Sequence, residues 1–190
     1  MAQEYDILSW YASRYFLKDL ASGEKYDGDH VPTTAGASDE ITDVLTCNLG
    51  QLNKDIQGYR TLGGNGYEAK ASLGNSQSDA TIELVRAGQG DAYAGAVGSS
   101  TYTKLRHWQM TASAAGGSNS PKCIVEVIPR GNNVWEGTCY YCHPTNFNPG
   151  ERNGDSGQTY SIDVSPFGPP IPLTVTYDST TDTFSFVKAG

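Results

Sequence analysis

Hydrophobic and polar residues alternate in the second half of the chain with the spacing of β-strands. Positions 158–166 follow this alternation, and positions 171–177 repeat it. A period of two residues is typical of a strand with one buried face and one face in water. The polar stretch 178–182 then leads to a last segment that contains Phe184 and Phe186. The pattern therefore predicts a C-terminal β-hairpin.

Similar runs of β-branched and aromatic residues occur upstream, separated by segments rich in Gly, Ser and Asn. These residue types favour strands and turns respectively. Two polar stretches, 50–66 and 144–157, are predicted loops, and loops of this length in a compact domain are usually functional or disordered. The predicted strands lie at 41–49, 66–73, 79–86, 122–129 and 133–142, with a turn at 131–133 between the last two.

One segment has the period of a helix instead. Tyr102, Leu105, Trp108 and Ala112 recur at spacings of three and four residues within positions 101–113. A hydroxyl side chain at the start can cap such a helix, and two glycines after it end it. The sequence therefore predicts one helix among many strands.

The first 40 residues are harder to assign. Ile7, Leu8 and Tyr11 could line a helix, whereas positions 14–20 could equally form a strand. We interpret residues 1–40 as an N-terminal arm and residues 41–190 as a single β-sandwich domain.

The length and the net charge of the chain exclude several classes of protein. The chain has 190 residues, which is the size of one domain, and a net charge of −8. This charge repels nucleic acid, so stable DNA or RNA binding is not expected. The N-terminus lacks the basic and apolar regions of a secretory signal, and no run of apolar residues is long enough to span a membrane. These features predict a protein made in the cytoplasm with no membrane partner.

The sharpest short motif is Cys-Tyr-Tyr-Cys-His at positions 139–143, which matches the pattern for covalent attachment of a c-type haem. Met110 could act as a second haem ligand. Haem attachment of this kind takes place outside the cytoplasm, and the motif ends a strand-like segment instead of lying in a helical setting. Two buried thiols and a loop histidine are therefore the favoured interpretation.

A zinc site is the alternative for the same motif. Cys139, Cys142 and His143 could be joined by a further ligand, for which the sequence offers Cys47, Cys123 or His107. A structural zinc site normally has a second paired motif, which this sequence lacks. Residues three apart on a strand also point to opposite faces. We therefore expect no metal and no cofactor, and whether Cys139 and Cys142 pair is left open.

Motifs for catalysis are absent from the sequence. It has no nucleophile elbow, no zinc-protease helix and no phosphate-binding glycine loop. Nothing in the spacing of its carboxylates singles out an acid–base pair. We do not expect an enzyme.

Four short segments lie in or next to the predicted strands: Ile-Thr-Asp-Val at 41–44, Asp-Ala-Thr-Ile-Glu-Leu at 79–84, Val-Trp-Glu-Gly at 134–137, and Tyr-Ser-Ile-Asp-Val at 160–164 leading to Phe167 and Gly168. In their order along the chain these segments resemble the major tail tube protein of tailed bacteriophages. The resemblance spans about residues 41–190. It implies a mainly β fold in which two antiparallel sheets pack together with one flanking helix.

The resemblance also implies a function. Six subunits would join edge to edge into a ring, rings would stack through the loop at 50–66, and DNA would pass through an acidic channel. The protein would then be a structural component of the virion tail, with copies of itself, tape measure, terminator and baseplate proteins as partners, and the arm would contact other subunits. Closed rings cover open sheet edges, and carboxylates in a channel repel phosphates, so both features are physically consistent.

Two sets of residues follow as candidates. The candidates for channel-facing acids lie in predicted strands, where ordinary solvated strand faces are the alternative interpretation: Glu68, Glu83, Glu126, Glu136 and Asp163. The candidates for ring stacking lie in the loop at 50–66, where surface turn chemistry is the alternative: Lys54, Asp55, Tyr59 and Arg60.

Two other functions remain open from the sequence. A tail terminator or baseplate component can share the fold but forms a single ring. A carbohydrate-binding β-sandwich is the second alternative, suggested by Trp10, Trp108, Trp135 and the many tyrosines.

Overall fold

The structure is a computed structural model that describes residues 13–49, 52–60, 68–85, 101–113, 121–131, 134–150 and 159–190. Eleven strands lie in this part of the chain: β1 Arg14–Lys18, β2 Thr34–Gly36, β3 Glu40–Ile41, β4 Val44–Cys47, β5 Leu52–Arg60, β6 Glu68–Gln77, β7 Ala80–Val85, β8 Lys122–Pro129, β9 Trp135–Asn148, β10 Thr159–Asp178 and β11 Thr183–Lys188. The same described residues contain one helix, α1, which spans Thr101–Ser113.

Most of the strands form one antiparallel sheet that nearly closes on itself as a barrel. Its strand order is β2, β11, β10, β9, β8, β1, β3. The two end strands, β2 and β3, are neighbours in sequence, joined by the short turn 37–39. Since β2 pairs with β11 and β3 pairs with β1, this one segment bridges both ends of the sheet.

The interior of the barrel is the first hydrophobic core. Aromatic side chains dominate it, and Phe16 lies 5.3 Å from Phe184 between ring centroids. Both rings are fully buried. The buried members of this core are Phe16, Ala35, Cys123, Val125, Val127, Cys139, Tyr141, Ile171, Leu173, Phe184 and Phe186.

A second layer packs on the outside of the barrel. It consists of β4, β7, residues 159–165 of β10 and residues 143–148 of β9, hydrogen-bonded side by side. We call these four strand segments the flap. A second hydrophobic core lies between the flap, α1 and the outer faces of β1, β8 and β9. Its largest fully buried side chains include Ile82, Leu84, Leu105, Ile124 and Ile162.

The central strands are therefore buried on both faces. In β8, Cys123, Ile124 and Val125 are all fully buried, although consecutive residues of a strand point in opposite directions. A continuous apolar run is the sequence pattern of such a doubly covered strand. In β10, by contrast, residues alternate because one face of the flap is in water.

A bend in β10 separates the barrel from the flap. The pairing register between β9 and β10 shifts between Phe167 and Ile171, where Gly168 has a φ of 73° and two prolines follow. β7 pairs with β10 only up to Val164, and β11 only from Leu173 onward. Prolines cannot donate to a ladder, so they are tolerated in this stretch and protect it from pairing with another strand.

The predicted fold class is confirmed: the protein is mainly β, with two packed antiparallel layers that belong to one bent sheet, and one helix of the described residues flanks them. The helix and β8 have the predicted limits, and the C-terminal hairpin is present. The predicted strand at 41–49 is wrong in one respect. It is broken into β3 and β4 at Asp43, which has a φ of 62°.

Both predicted loops were wrong in part. Residues 52–60 of the loop at 50–66 form β5, which pairs with β6 in a separate two-stranded sheet. Main-chain hydrogen bonds form this hairpin, and they require no alternation of apolar residues. Residues 144–148 of the second loop continue β9, because they pair with β10 beyond the predicted strand end at 142.

Part of the predicted arm belongs to the barrel. Of residues 1–40, the structure describes 13–40, which supply β1, β2 and the first residue of β3. β1 lies between β8 and β3, and its Phe16 is fully buried in the barrel core. The possible helix at the chain start lies outside the described residues.

Candidate assembly interface

The outer face of the flap is polar. Ala80, Ile82 and Leu84 of β7 point into the second core, so Thr81 and Glu83 point outward. Asp163 lies on the same face, directly across from Thr81. Its carboxylate accepts hydrogen bonds from the Thr81 hydroxyl at 2.7 Å and from the Asn146 amide at 3.2 Å. The flap therefore buries one face and presents small polar groups and carboxylates on the other.

The charge of this face has one sign. Glu83 and Asp163 are cross-strand neighbours, two residues apart in register. The four strand segments of the flap contain no Lys or Arg. Two of the five predicted channel acids are thus brought together on strand segments that contain no Lys or Arg.

The other three predicted channel acids lie elsewhere. Glu126 borders the second core, where it accepts hydrogen bonds from the hydroxyls of Tyr15 at 3.0 Å and Tyr140 at 3.4 Å. Burial raises the pKa of both tyrosines, so the hydroxyls remain donors. Glu136 forms an ion pair with Arg130 at the turn between β8 and β9. Glu68 begins β6 opposite Arg60, in the separate two-stranded sheet.

The flap has two edges to which no described strand is paired. β4 pairs only with β7, which leaves its other edge open, and Leu45 there is 44% exposed. At the opposite side, β8 pairs with β9 only as far as Cys142, so residues 143–148 also have an open edge. An exposed strand edge is a template for pairing with another chain.

A groove of about 430 Å³ runs beside the β4 edge. Its walls are formed by the start of β1 and by the chain from Glu40 through Asp43 to Leu45. The groove therefore offers space next to the main-chain groups of β4.

The four predicted stacking residues all lie on β5. In register, Lys54 lies opposite Asn75, Asp55 opposite Gly74, Tyr59 opposite Ala69 and Arg60 opposite Glu68. With nine residues at about 3.3 Å each, β5 is roughly 30 Å long. The four residues are thus spread along one strand of a ribbon, not clustered in a loop.

Solved structures of contractile injection systems share this architecture. A chain of the sheath-tube complex of PVC, an extracellular contractile injection system, superposes with a TM-score of 0.57 at 13% identity, over 91% of this chain and 95% of that chain. A chain of the PVC sheath/tube terminator gives a TM-score of 0.57 at 15% identity, over 90% and 99%. A chain of the tube-terminating cap of the anti-feeding prophage gives 0.56 at 14%, over 92% and 95%. This chain has the tail-tube fold.

No protein-family model matches the sequence, and no curated protein matches it. The predicted resemblance to tail tube proteins is confirmed at the level of fold. Within the described residues, no helix has the length and apolar character needed to cross a membrane.

The two cysteines of the haem-like motif lie in the two hydrophobic cores of the tail-tube fold. Cys139 lies in the barrel core and Cys142 in the second core, on opposite faces of β9 as predicted. Both thiols are fully buried. His143 stacks on Phe167 with 4.6 Å between ring centroids. The two cysteines therefore cannot share a metal or a haem without unfolding the strand.

The tryptophans also belong to the cores. Trp108 of α1 is 2% exposed. Trp135 packs against Tyr177 and Phe184 at 5.4 and 5.0 Å between centroids. Trp108 therefore offers no open ring face to a sugar, Trp135 is partly buried against the barrel core, and Trp10 lies outside the described residues.

Sequence reasoning missed Arg14. Its guanidinium donates to Glu40 at 2.9 and 2.7 Å and to Asp182 at 2.8 Å. These partners are 26 and 168 residues away in sequence. No local spacing could reveal them.

Proposed function

We propose that this protein is a virion structural protein that assembles into hexameric rings, which stack into the tube of a phage-like tail. The observation that carries the proposal is the flap. It buries one face, presents a Lys- and Arg-free polar face, and has open edges on both sides. A monomer with two such edges is prone to pair with other chains unless those edges are covered.

A ring covers both edges at once. The β4 edge of one copy pairs with the edge at 143–148 of the next, which is a head-to-tail contact that closes when the rotation between copies returns to the start. Six copies with four flap strands each give a closed sheet of about 24 strands, and barrels of about 16 strands already enclose an aqueous channel.

The polar face of the flap lines the channel. Glu83 and Asp163 then repeat around the ring, six times each, without intervening Lys or Arg from the flap strands. A bore of this charge repels phosphates, so DNA passes through without sticking. Glu126 and Glu136 do not contribute to this lining, because their carboxylates are held by tyrosines and by Arg130.

Stacking of rings uses the β5–β6 hairpin. Two-stranded ribbons are marginally stable by themselves, so a hairpin of this length gains from packing on a neighbouring subunit. Lys54, Asp55, Tyr59 and Arg60 are the stacking candidates on it.

Electron microscopy of the purified protein tests the proposal. We expect stacked rings or long tubes with a central channel. The variant Leu45→Lys places a charge at the exposed position of the β4 edge and should prevent ring formation. Thr174→Lys adds the same charge at an exposed site on the barrel side of β10, so it is the matched control and should still form rings. A wild-type protein that stays monomeric at high concentration refutes the proposal.

A single-ring component is the second candidate. The comparisons favour it as much as a tube, because a terminator chain superposes as well as a chain of the sheath-tube complex does. A terminator or baseplate component is expected to give isolated rings that do not stack. The same micrographs distinguish single rings from tubes.

In either role the partners are other copies of this chain and the remaining tail proteins, such as tape measure, terminator and baseplate components. The finished protein is then located in the virion tail. Pull-down from assembled particles followed by mass spectrometry tests these partners.

A further inference from the structure

Arg14 connects three separate parts of the barrel. From β1, its guanidinium donates two hydrogen bonds to Glu40 of β3 and two to Asp182, at 2.8 and 3.3 Å, in the turn before β11. The guanidinium also lies over the rings of Phe16 and Phe184, at 5.4 and 5.0 Å from their centroids. Bidentate Arg–carboxylate pairs fix geometry as well as supplying energy. Arg14 therefore closes the seam of the barrel at one end.

The two carboxylates that Arg14 binds belong to different parts of the fold. Asp182 belongs to the C-terminal hairpin and also accepts a hydrogen bond from Tyr177 at 3.0 Å. Glu40 is four residues before Val44, where β4 begins. The intervening chain is held tightly. Thr42 donates its amide to the Thr101 hydroxyl at 3.1 Å, and Val85 donates its amide to the Asp43 carbonyl at 2.9 Å.

The same pair also lies on the wall of the groove beside β4. Arg14 and Glu40 line this groove together with residues 41–45. A strand added to the open edge of β4 would occupy the groove. Glu40 therefore lies both four residues before β4 and on the wall of the groove beside it.

We propose that the Arg14–Glu40 ion pair is a positioning device that fixes the open edge of β4 for pairing with the next subunit. This inference rests on the proposed function, since only in a ring is β4 an assembly edge. Arg14 acts here through Glu40 and the four residues that follow it. Its bonds to Asp182 serve the barrel seam and do not reach β4.

The test compares two variants that each remove one carboxylate charge from the same arginine. Glu40→Gln should speed hydrogen exchange at the Val85 amide about two- to fivefold, the factor expected for the loss of a single partly buried ion pair. Asp182→Asn should speed exchange only within the C-terminal hairpin. Asp19→Asn, which removes a carboxylate from the exposed ion pair with Lys122, is the matched control and should change neither region.

Assembly is measured on the same proteins. Glu40→Gln should raise the concentration at which rings appear, whereas Asp182→Asn and Asp19→Asn should leave it unchanged. Equal effects of both carboxylate variants, at Val85 or on assembly, would show a merely stabilising role and overturn the inference. Faster exchange at Val85 without a change in assembly overturns its link to the edge.

Failure of the proposed function can be told apart from failure of the inference. If the wild-type protein forms no rings, the proposed function fails, and exchange at Val85 in the folded monomer alone decides whether Glu40 positions β4. Circular dichroism of each variant establishes that it is folded before either measurement.

Discussion

Cys139 and Cys142 lie three residues apart on β9 but belong to different hydrophobic cores. The strand on which they lie separates the barrel interior from the core under the flap. A spacing that resembles a haem attachment motif is therefore a consequence of a strand that is covered on both faces.

Thiol chemistry should reflect this burial. The cysteines of the described residues are all free and buried, and burial raises the pKa of Cys47 to about 12. A thiol with such a pKa carries almost no thiolate at pH 8, and the thiolate is the reactive form. We expect Ellman's reagent to react with none of the four in the folded protein and with all four in denaturant. Rapid labelling of Cys139 or Cys142 without unfolding would contradict the two-core assignment.

Gly137 should not tolerate a side chain as small as a methyl group. A Cβ at this position would lie 2.5 Å from Cγ2 of Val175 and 3.2 Å from Cβ of Leu173. We expect Gly137→Ala to lower the free energy of unfolding by about 1–3 kcal/mol through overpacking. Gly36→Ala is the control, because its nearest neighbours would be at 3.8 Å, and it should change stability by less than about 0.5 kcal/mol. Urea denaturation of both variants measures the difference.

Phe184 should be among the most sensitive positions of the barrel. Its ring is fully buried and packs against Phe16, Trp135 and Tyr177. Phe184→Ala should cost about 3–5 kcal/mol, from lost burial and a cavity. Val187→Ala, three residues later and 66% exposed, should be nearly neutral. Thermal melts that show equal losses for both would contradict the barrel core.

His30 should titrate above its usual range. The side chains of His30 and Asp27 share a hydrogen bond of 3.0 Å. This bond raises the pKa of His30 and lowers the pKa of Asp27. A raised folded-state pKa means that the contribution of protonated His30 is present below its unfolded pKa and is lost as pH rises through the folded value. NMR titration should give a midpoint above 6.5 that falls in Asp27→Asn. An unchanged midpoint in that variant would remove Asp27 as the cause.

Reversing the charge of the flap face should make assembled tubes retain DNA. The double variant Glu83→Lys, Asp163→Lys places cations where the proposed channel has carboxylates. Tubes assembled with a short duplex should then protect it from nuclease, in a manner that weakens steeply with salt. The variant Glu24→Lys, Asp29→Lys makes the same change of charge away from the flap and should not protect DNA. Equal protection by both variants would place Glu83 and Asp163 outside the channel.

The sequence by itself determined the fold class and several elements. Alternation in β10, the helical spacing of Leu105 and Trp108, and the turn before β11 are local patterns, because each depends on which face of one element is buried. β8 was placed correctly even though Cys123, Ile124 and Val125 do not alternate, since β-branched residues favour strands in any case.

Only the tertiary structure decided the remaining strands, the surroundings of the candidate acids and the contacts of Arg14. β5 and residues 144–148 of β9 are strands because distant segments pair with them through the main chain, and main-chain pairing leaves no hydrophobic period in the sequence. The positions of the five candidate acids depend likewise on partners far along the chain. Glu126 accepts a hydrogen bond from Tyr15, whereas Glu83 and Asp163 lie on adjacent strands, two residues apart in register. Arg14 became visible only when folding brought Glu40 and Asp182 to the same guanidinium, since an ion pair depends on distance in space and not on spacing in sequence.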